Sequence, residues 1–84
     1  MNKTESKAYK WLVENYDSNK VFYRSRKIPS FVTSDEKKWD AKRLRGNQIE
    51  LTARQMEVLL SERDVTSILV FRDDSDELIN KIPM

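Results

Sequence analysis

Cysteine and histidine are both absent from the 84 residues. Without cysteine there is no disulfide, no zinc–thiolate site and no thiol nucleophile. Without histidine the chain lacks the commonest general base and the commonest transition-metal ligand. Any catalysis therefore falls to carboxylates, lysines, hydroxyls and water, and any metal to a hard, oxygen-preferring ion. No apolar run approaches the ~20 residues that a membrane span needs. The opening residues, MNKTESK, lack the apolar stretch of a signal peptide. These two absences predict a cytoplasmic chain that does not engage a membrane. Glycine occurs once, at Gly46, which marks that position for a backbone conformation other residues avoid.

Apolar residues make up 38% and charged residues 36% of the chain, so its core must be lean. A chain of this length buries roughly 60–65% of its unfolded surface. The expectation is one domain over residues 1–84, with a core at about 3–71 and a C-terminal tail at 72–84. An extended substrate or a partner subunit, a homodimer included, could complete so small a core.

The net charge is only +2, but the charges are segregated. Lys20, Arg24, Arg26 and Lys27 crowd one segment, and Lys42, Arg43, Arg45 and Arg54 another. Asp73, Asp74, Asp76 and Glu77 make the end acidic. Basic clusters of this kind suit a polyanion such as nucleic acid, although a solvated face has the same composition. Arg24, Arg26, Lys27, Arg43, Arg45 and Arg54 are the candidate phosphate contacts. The acidic run lacks the central glycine and closing glutamate of a calcium loop and reads as a solvated turn.

Residues 3–16 read as a helix, because Ala8, Tyr9, Leu12, Val13 and Tyr16 recur at helical spacing. Val21-Phe22-Tyr23 opens a first strand. Residues 28–33 read as a second strand entered through Pro29, and residues 38–44 as a third that forms a hairpin with it. Thr52 and Gln55 have capping-box spacing and start a second helix, with Leu51 and Met56 placed as a hydrophobic staple. Residues 65–71 are a nearly continuous apolar run, which is the pattern of a buried strand. Helix-strand-strand-strand-helix-strand predicts a mixed sheet flanked by helices, in the α/β or α+β class. Trp11, Trp39, Tyr9 and Phe31 are expected in the core rather than as base-stacking platforms.

The chemistry concentrates in the segment from Ile28 to Lys42. An acid two residues before a lysine occurs four times, at Glu5/Lys7, Asp35/Lys37, Glu36/Lys38 and Asp40/Lys42. Only Asp40/Lys42 lies within a strand that follows a proline-containing hairpin partner and precedes a capped helix. Side chains at i and i+2 of a strand share a face, so Asp40 and Lys42 project side by side.

This arrangement resembles the PD-(D/E)XK nuclease superfamily, which includes restriction enzymes and archaeal Holliday-junction resolvases. The likeness covers about residues 3–71. Glu5, seven residues before Leu12, matches the glutamate that the family often carries on its first helix. Thr52-Ala53-Arg54-Gln55-Met56-Glu57-Val58-Leu59 matches the family's T-x-x-Q-x-x-x-L stretch. Pro29-x-Phe31, a polar turn, and Trp39-Asp40-Ala41-Lys42 follow in family order. The resemblance implies a restriction-endonuclease-like fold and an endonuclease that hydrolyses DNA phosphodiester bonds with Mg²⁺ or Mn²⁺. Asp40, Glu5 and the backbone of Ala41 would hold the metal. Lys42 would orient the attacking water or stabilise phosphate charge, and Gln55 would position the lysine or the phosphate.

Ser30 departs from the family form, which has aspartate after the proline. A hydroxyl is a neutral, weaker ligand, so the site loses a full negative charge and cleavage itself comes into question. Asp35 is too distant to replace it, roughly 16 Å along an extended strand. A catalytically inactive nucleic-acid-binding module and a protein-interaction subunit on the same fold stand as the alternatives. The residue-level alternatives are equally plain. Glu5 and Gln55 can each be a helix-cap partner, and Asp40 and Lys42 a surface charge set.

Overall fold

A computed structural model covers residues 1–84. It is an α+β arrangement of two helices on a mixed, open, six-stranded sheet. Helix α1 spans Lys3–Asn15, with Asn2 as its N-cap. The cap is a full box: Asn2 Oδ1 accepts from the Glu5 amide at 2.7 Å, and Glu5 Oε1 accepts from the Asn2 amide at 2.9 Å. The helix ends at Tyr16, which is extended, and its amide closes the last turn on the Leu12 carbonyl.

The strands are β1 (Val21–Tyr23), β2 (Phe31–Thr33), β3 (Lys38–Arg45), β4 (Gln48–Ile49), β5 (Thr66–Phe71) and β6 (Leu78–Pro83), and helix α2 spans Ala53–Ser61. The sheet order is β1-β2-β3-β5-β6, with β4 paired to β3. Only β3 and β5 run parallel, with Asp40 opposite Ile68 and Lys42 opposite Val70. A parallel pair needs a crossover connection. Here it carries α2, and an ion pair between Lys38 and Glu62 ties the end of that helix to the start of β3.

The period-two alternation of β5 divides the core. Leu69 and Phe71 join Ala8, Leu12, Val21, Phe31 and Trp39 under α1. Ile68 and Val70 pack with Leu59 of α2 on the opposite face. Trp39 and Ala41 belong to the α1 side, so Asp40 and Lys42 fall out of phase with that cluster. Phe31 and Trp39 are buried core residues, and Tyr9 and Trp11 pack half-buried against them. Trp39 lies 5.9 Å from Trp11 between ring centroids, and its indole N–H donates to Thr33 Oγ1 at 3.0 Å.

Three features depart from the sequence expectation. Strand β2 begins at Phe31 rather than at residue 28, because the Ser30 amide turns to a side chain instead of a neighbouring strand. The cis Ile28–Pro29 peptide bond belongs to this same first departure. A two-residue loop, Gly46-Asn47, joins β3 to the short β4, and Gly46 has the φ of +63° that its isolation in the sequence suggested. The third departure is the largest: residues 78–83 are not a tail. They form edge strand β6, antiparallel to β5, with Leu78 opposite Phe71 and Ile82 opposite Ile68. The sheet therefore extends beyond the predicted core boundary at residue 71. No helix is long and apolar enough to cross a membrane.

Candidate active site

Four predicted site residues meet: Glu5, Ser30, Asp40 and Lys42. Helix α1 delivers Glu5 from its first turn, the β1–β2 connection delivers Ser30, and β3 delivers the other two. Ser30 Oγ lies 3.1 Å from Glu5 Oε2 and 3.2 Å from Asp40 Oδ1. The Ser30 backbone N–H also donates to Asp40 Oδ1, at 3.2 Å. Lys42 Nζ stands 3.1 Å from Asp40 Oδ2.

Burial decides the character of this cluster. The Asp40 side chain is 4% exposed and that of Lys42 17%, so the pair is shielded from the screening that makes surface ion pairs nearly worthless. Two carboxylates and one ammonium leave a net charge of −1 among the ionised groups. The serine hydroxyl has one hydrogen to offer two carboxylate oxygens. Asp40 Oδ2 is fully buried, and the Lys42 ammonium stands beside it as an ion pair at 3.1 Å. With both acids ionised, the arrangement is short of one positive charge.

That shortage bears on whether the residues suit a hard cation. Magnesium is commonly held by one or two carboxylates, with water and substrate phosphate completing its shell. Glu5 Oε2 and Asp40, bridged by a hydroxyl, fit that donor chemistry with two acids. No grouping of three or more histidine, cysteine or acidic residues is arranged so that it could hold a metal ion. The position after Pro29 is where a third acid would complete one, and Ser30 stands there.

Other predicted residues lie differently. Ala41 packs its side chain toward α1 and sits opposite Leu69 in the β3–β5 ladder. Its role as a backbone ligand rests on the family resemblance alone. The side-chain Oε1 of Gln55 accepts from the Thr52 backbone N–H at 3.1 Å, while the Gln55 backbone N–H donates to Thr52 Oγ1 at 3.1 Å. Gln55 closes the cap of α2 and makes no hydrogen bond to Asp40 or Lys42. Asp35 is bound to the Thr33 and Tyr16 hydroxyls, away from the cluster.

The basic residues do not act as one set. Arg26 and Lys27 are exposed in the β1–β2 connection beside Ser30, and Arg45 and Arg54 are exposed on β3 and α2. The charge of Arg43 is offset by Asp73 at 3.4 Å. The Arg24 guanidinium is turned inward, onto the Pro29 carbonyl at 2.6 Å.

Tyr23 is a site neighbour that the sequence did not reveal. Its hydroxyl donates to Glu5 Oε1 at 3.3 Å. The only available signal was its place at the end of β1, and nothing in the local pattern linked β1 to the first turn of α1. Comparison with family models, characterised proteins and solved structures finds no match to the chain.

Proposed function

We propose that the chain is a small, metal-dependent DNA endonuclease of the cytoplasm, weakened by Ser30. The observation that carries the reading is the convergence of Glu5, Ser30 and Lys42 on the buried Asp40 carboxylate. Glu5 and Asp40 would hold Mg²⁺ or Mn²⁺. Such an ion supplies a lowered pKa for bound water and neutralises charge developing on phosphate. Lys42, two residues from Asp40 on one strand face, would leave its ion pair to orient a water molecule or to accept phosphate charge. Arg26 and Lys27, exposed in the β1–β2 connection that carries Ser30, would contact the nucleic-acid backbone.

The test is cleavage of plasmid and single-stranded DNA across a series of Mg²⁺ and Mn²⁺ concentrations. Asp40→Asn should lower any cleavage by about 100-fold or more, the usual scale for losing a key electrostatic group. Ser30→Asp should raise it and lower the metal concentration required. Absence of cleavage in both the natural chain and Ser30→Asp would defeat the reading.

A second reading is favoured by the Lys42–Asp40 pair. An internal ammonium already occupies one side of the carboxylate, as it would in a module that binds nucleic acid without cutting it. That module would show binding that weakens steeply with salt and no turnover at any metal concentration.

A further inference from the structure

The peptide group joining Pro29 to Ser30 is held at both ends by ionised side chains. Its carbonyl oxygen accepts from Arg24 Nη2 at 2.6 Å, and its N–H donates to Asp40 Oδ1 at 3.2 Å. The C=O and N–H of a trans peptide point in opposite directions. The guanidinium therefore sits at the negative end of the peptide dipole and the carboxylate at its positive end. Both charges favour the same orientation, and a hydrogen-bond chain of this kind strengthens its own members. The main chain adds a second grip, because the Arg24 amide donates to the Ser30 carbonyl at 2.7 Å. The guanidinium is committed inward: its Nε is fully buried without a partner. Arg26, two residues on, is exposed.

We propose that Arg24 is a positioning residue of this site and not a phosphate contact. By fixing the Pro29–Ser30 peptide it aims both the amide and the hydroxyl of Ser30 at Asp40, and keeps the hydroxyl within reach of Glu5. The functional weight of this role rests on the nuclease reading, but its geometry does not.

The test compares Arg24→Met and Arg24→Gln with Arg26→Met by NMR and by Mg²⁺ titration. In Arg24→Met the Ser30 amide proton should move upfield, because its peptide loses polarisation, and Mg²⁺ affinity should fall by about tenfold, the usual effect of losing a partner behind a metal ligand. Arg24→Gln keeps a donor without the charge and should give a smaller shift of the same sign. Arg26→Met should leave the Ser30 amide in place. A Ser30 amide unmoved in a folded Arg24 variant overturns the proposal, as does an equal shift in Arg26→Met. Collapse of both Arg24 variants would assign the residue to the fold and overturn it too. If the natural chain takes no Mg²⁺ but the amide responds as stated, the nuclease reading fails and the positioning role stands.

Discussion

The hydroxyl of Tyr16 donates to Asp35 Oδ2 at 2.9 Å, joining the end of α1 to the β2–β3 turn. The pair titrates abnormally. Burial pushes the Tyr16 hydroxyl up, and its hydrogen bond to Asp35 adds to the effect. For Asp35, burial acts upward, but hydrogen bonds from Thr33, Tyr16 and the Lys37 amide outweigh it and leave the carboxyl below its ordinary value. A lowered carboxyl stabilises the fold above the ordinary carboxylate range and loses that contribution as pH falls through the lowered value. A raised phenol stabilises it below the ordinary tyrosine range, about pH 10, and loses that contribution as pH climbs through the raised value. Tyr16→Phe should therefore move the Asp35 carboxyl titration up toward its ordinary value, followed by carboxyl carbon NMR, and remove the contribution lost on the alkaline side. An unchanged Asp35 titration would refute the coupling.

At this scale the sequence was most informative where a role depends on local spacing. The shared face of Asp40 and Lys42 was legible because a strand's period fixes it, whereas Glu5 was singled out only through the family resemblance. Gln55 satisfied two spacings at once, and the cap is the one its hydrogen bonds serve. The inward turn of Arg24 was not legible, because composition cannot separate a guanidinium on a backbone carbonyl from one awaiting phosphate.

Among elements, β6 carried the weakest signal. Leu78-Ile79-Asn80-Lys81-Ile82-Pro83 alternates only loosely, follows an acidic run and ends in proline, a residue tolerated at sheet edges. What recruits it is distant in sequence. The buried Lys7 ammonium of α1 donates to the carbonyls of Arg72 at 2.6 Å, Asp73 at 3.3 Å and Ser75 at 2.8 Å, inside the β5–β6 connection. Lys7→Met strands those carbonyls and should cost about 1–3 kcal/mol in urea unfolding. Lys10→Met should change stability by less than about 0.5 kcal/mol, since Lys10 is exposed and only loosely paired with Asp76 at 3.9 Å. Equal losses from the two variants would show that the cradle contributes nothing. By contrast, α1, α2 and β5 were readable because cap chemistry and apolar periodicity are written within each segment.

For the whole molecule, the decisive quantity is how little core there is. Ten apolar residues are buried, split by the sheet into a cluster of seven and a cluster of three. The smaller cluster depends on its margins: Ile28, Leu44, Ile49, Leu51, Ile82 and Met84 all pack against it. Deleting residues 78–84 removes two of those margins and bares the hydrogen-bonding edge of β5. The loss should be roughly 3 kcal/mol or more, a large share of the 5–15 kcal/mol typical of a domain. A truncated chain that melted as cooperatively as the full one, followed by circular dichroism, would show that the sheet needs no sixth strand.

Glu5 holds two posts with one carboxyl group. Its Oε1 receives the Asn2 amide at the start of α1, and its Oε2 faces Ser30. Whatever draws on the second oxygen also alters the first, so a ligand bound at the cluster would be coupled to fraying of the leading helical turn. α1 in turn roofs the larger half of the core. A small ion bound at that carboxylate would thus be felt as a change in how often the chain's first turn opens to solvent.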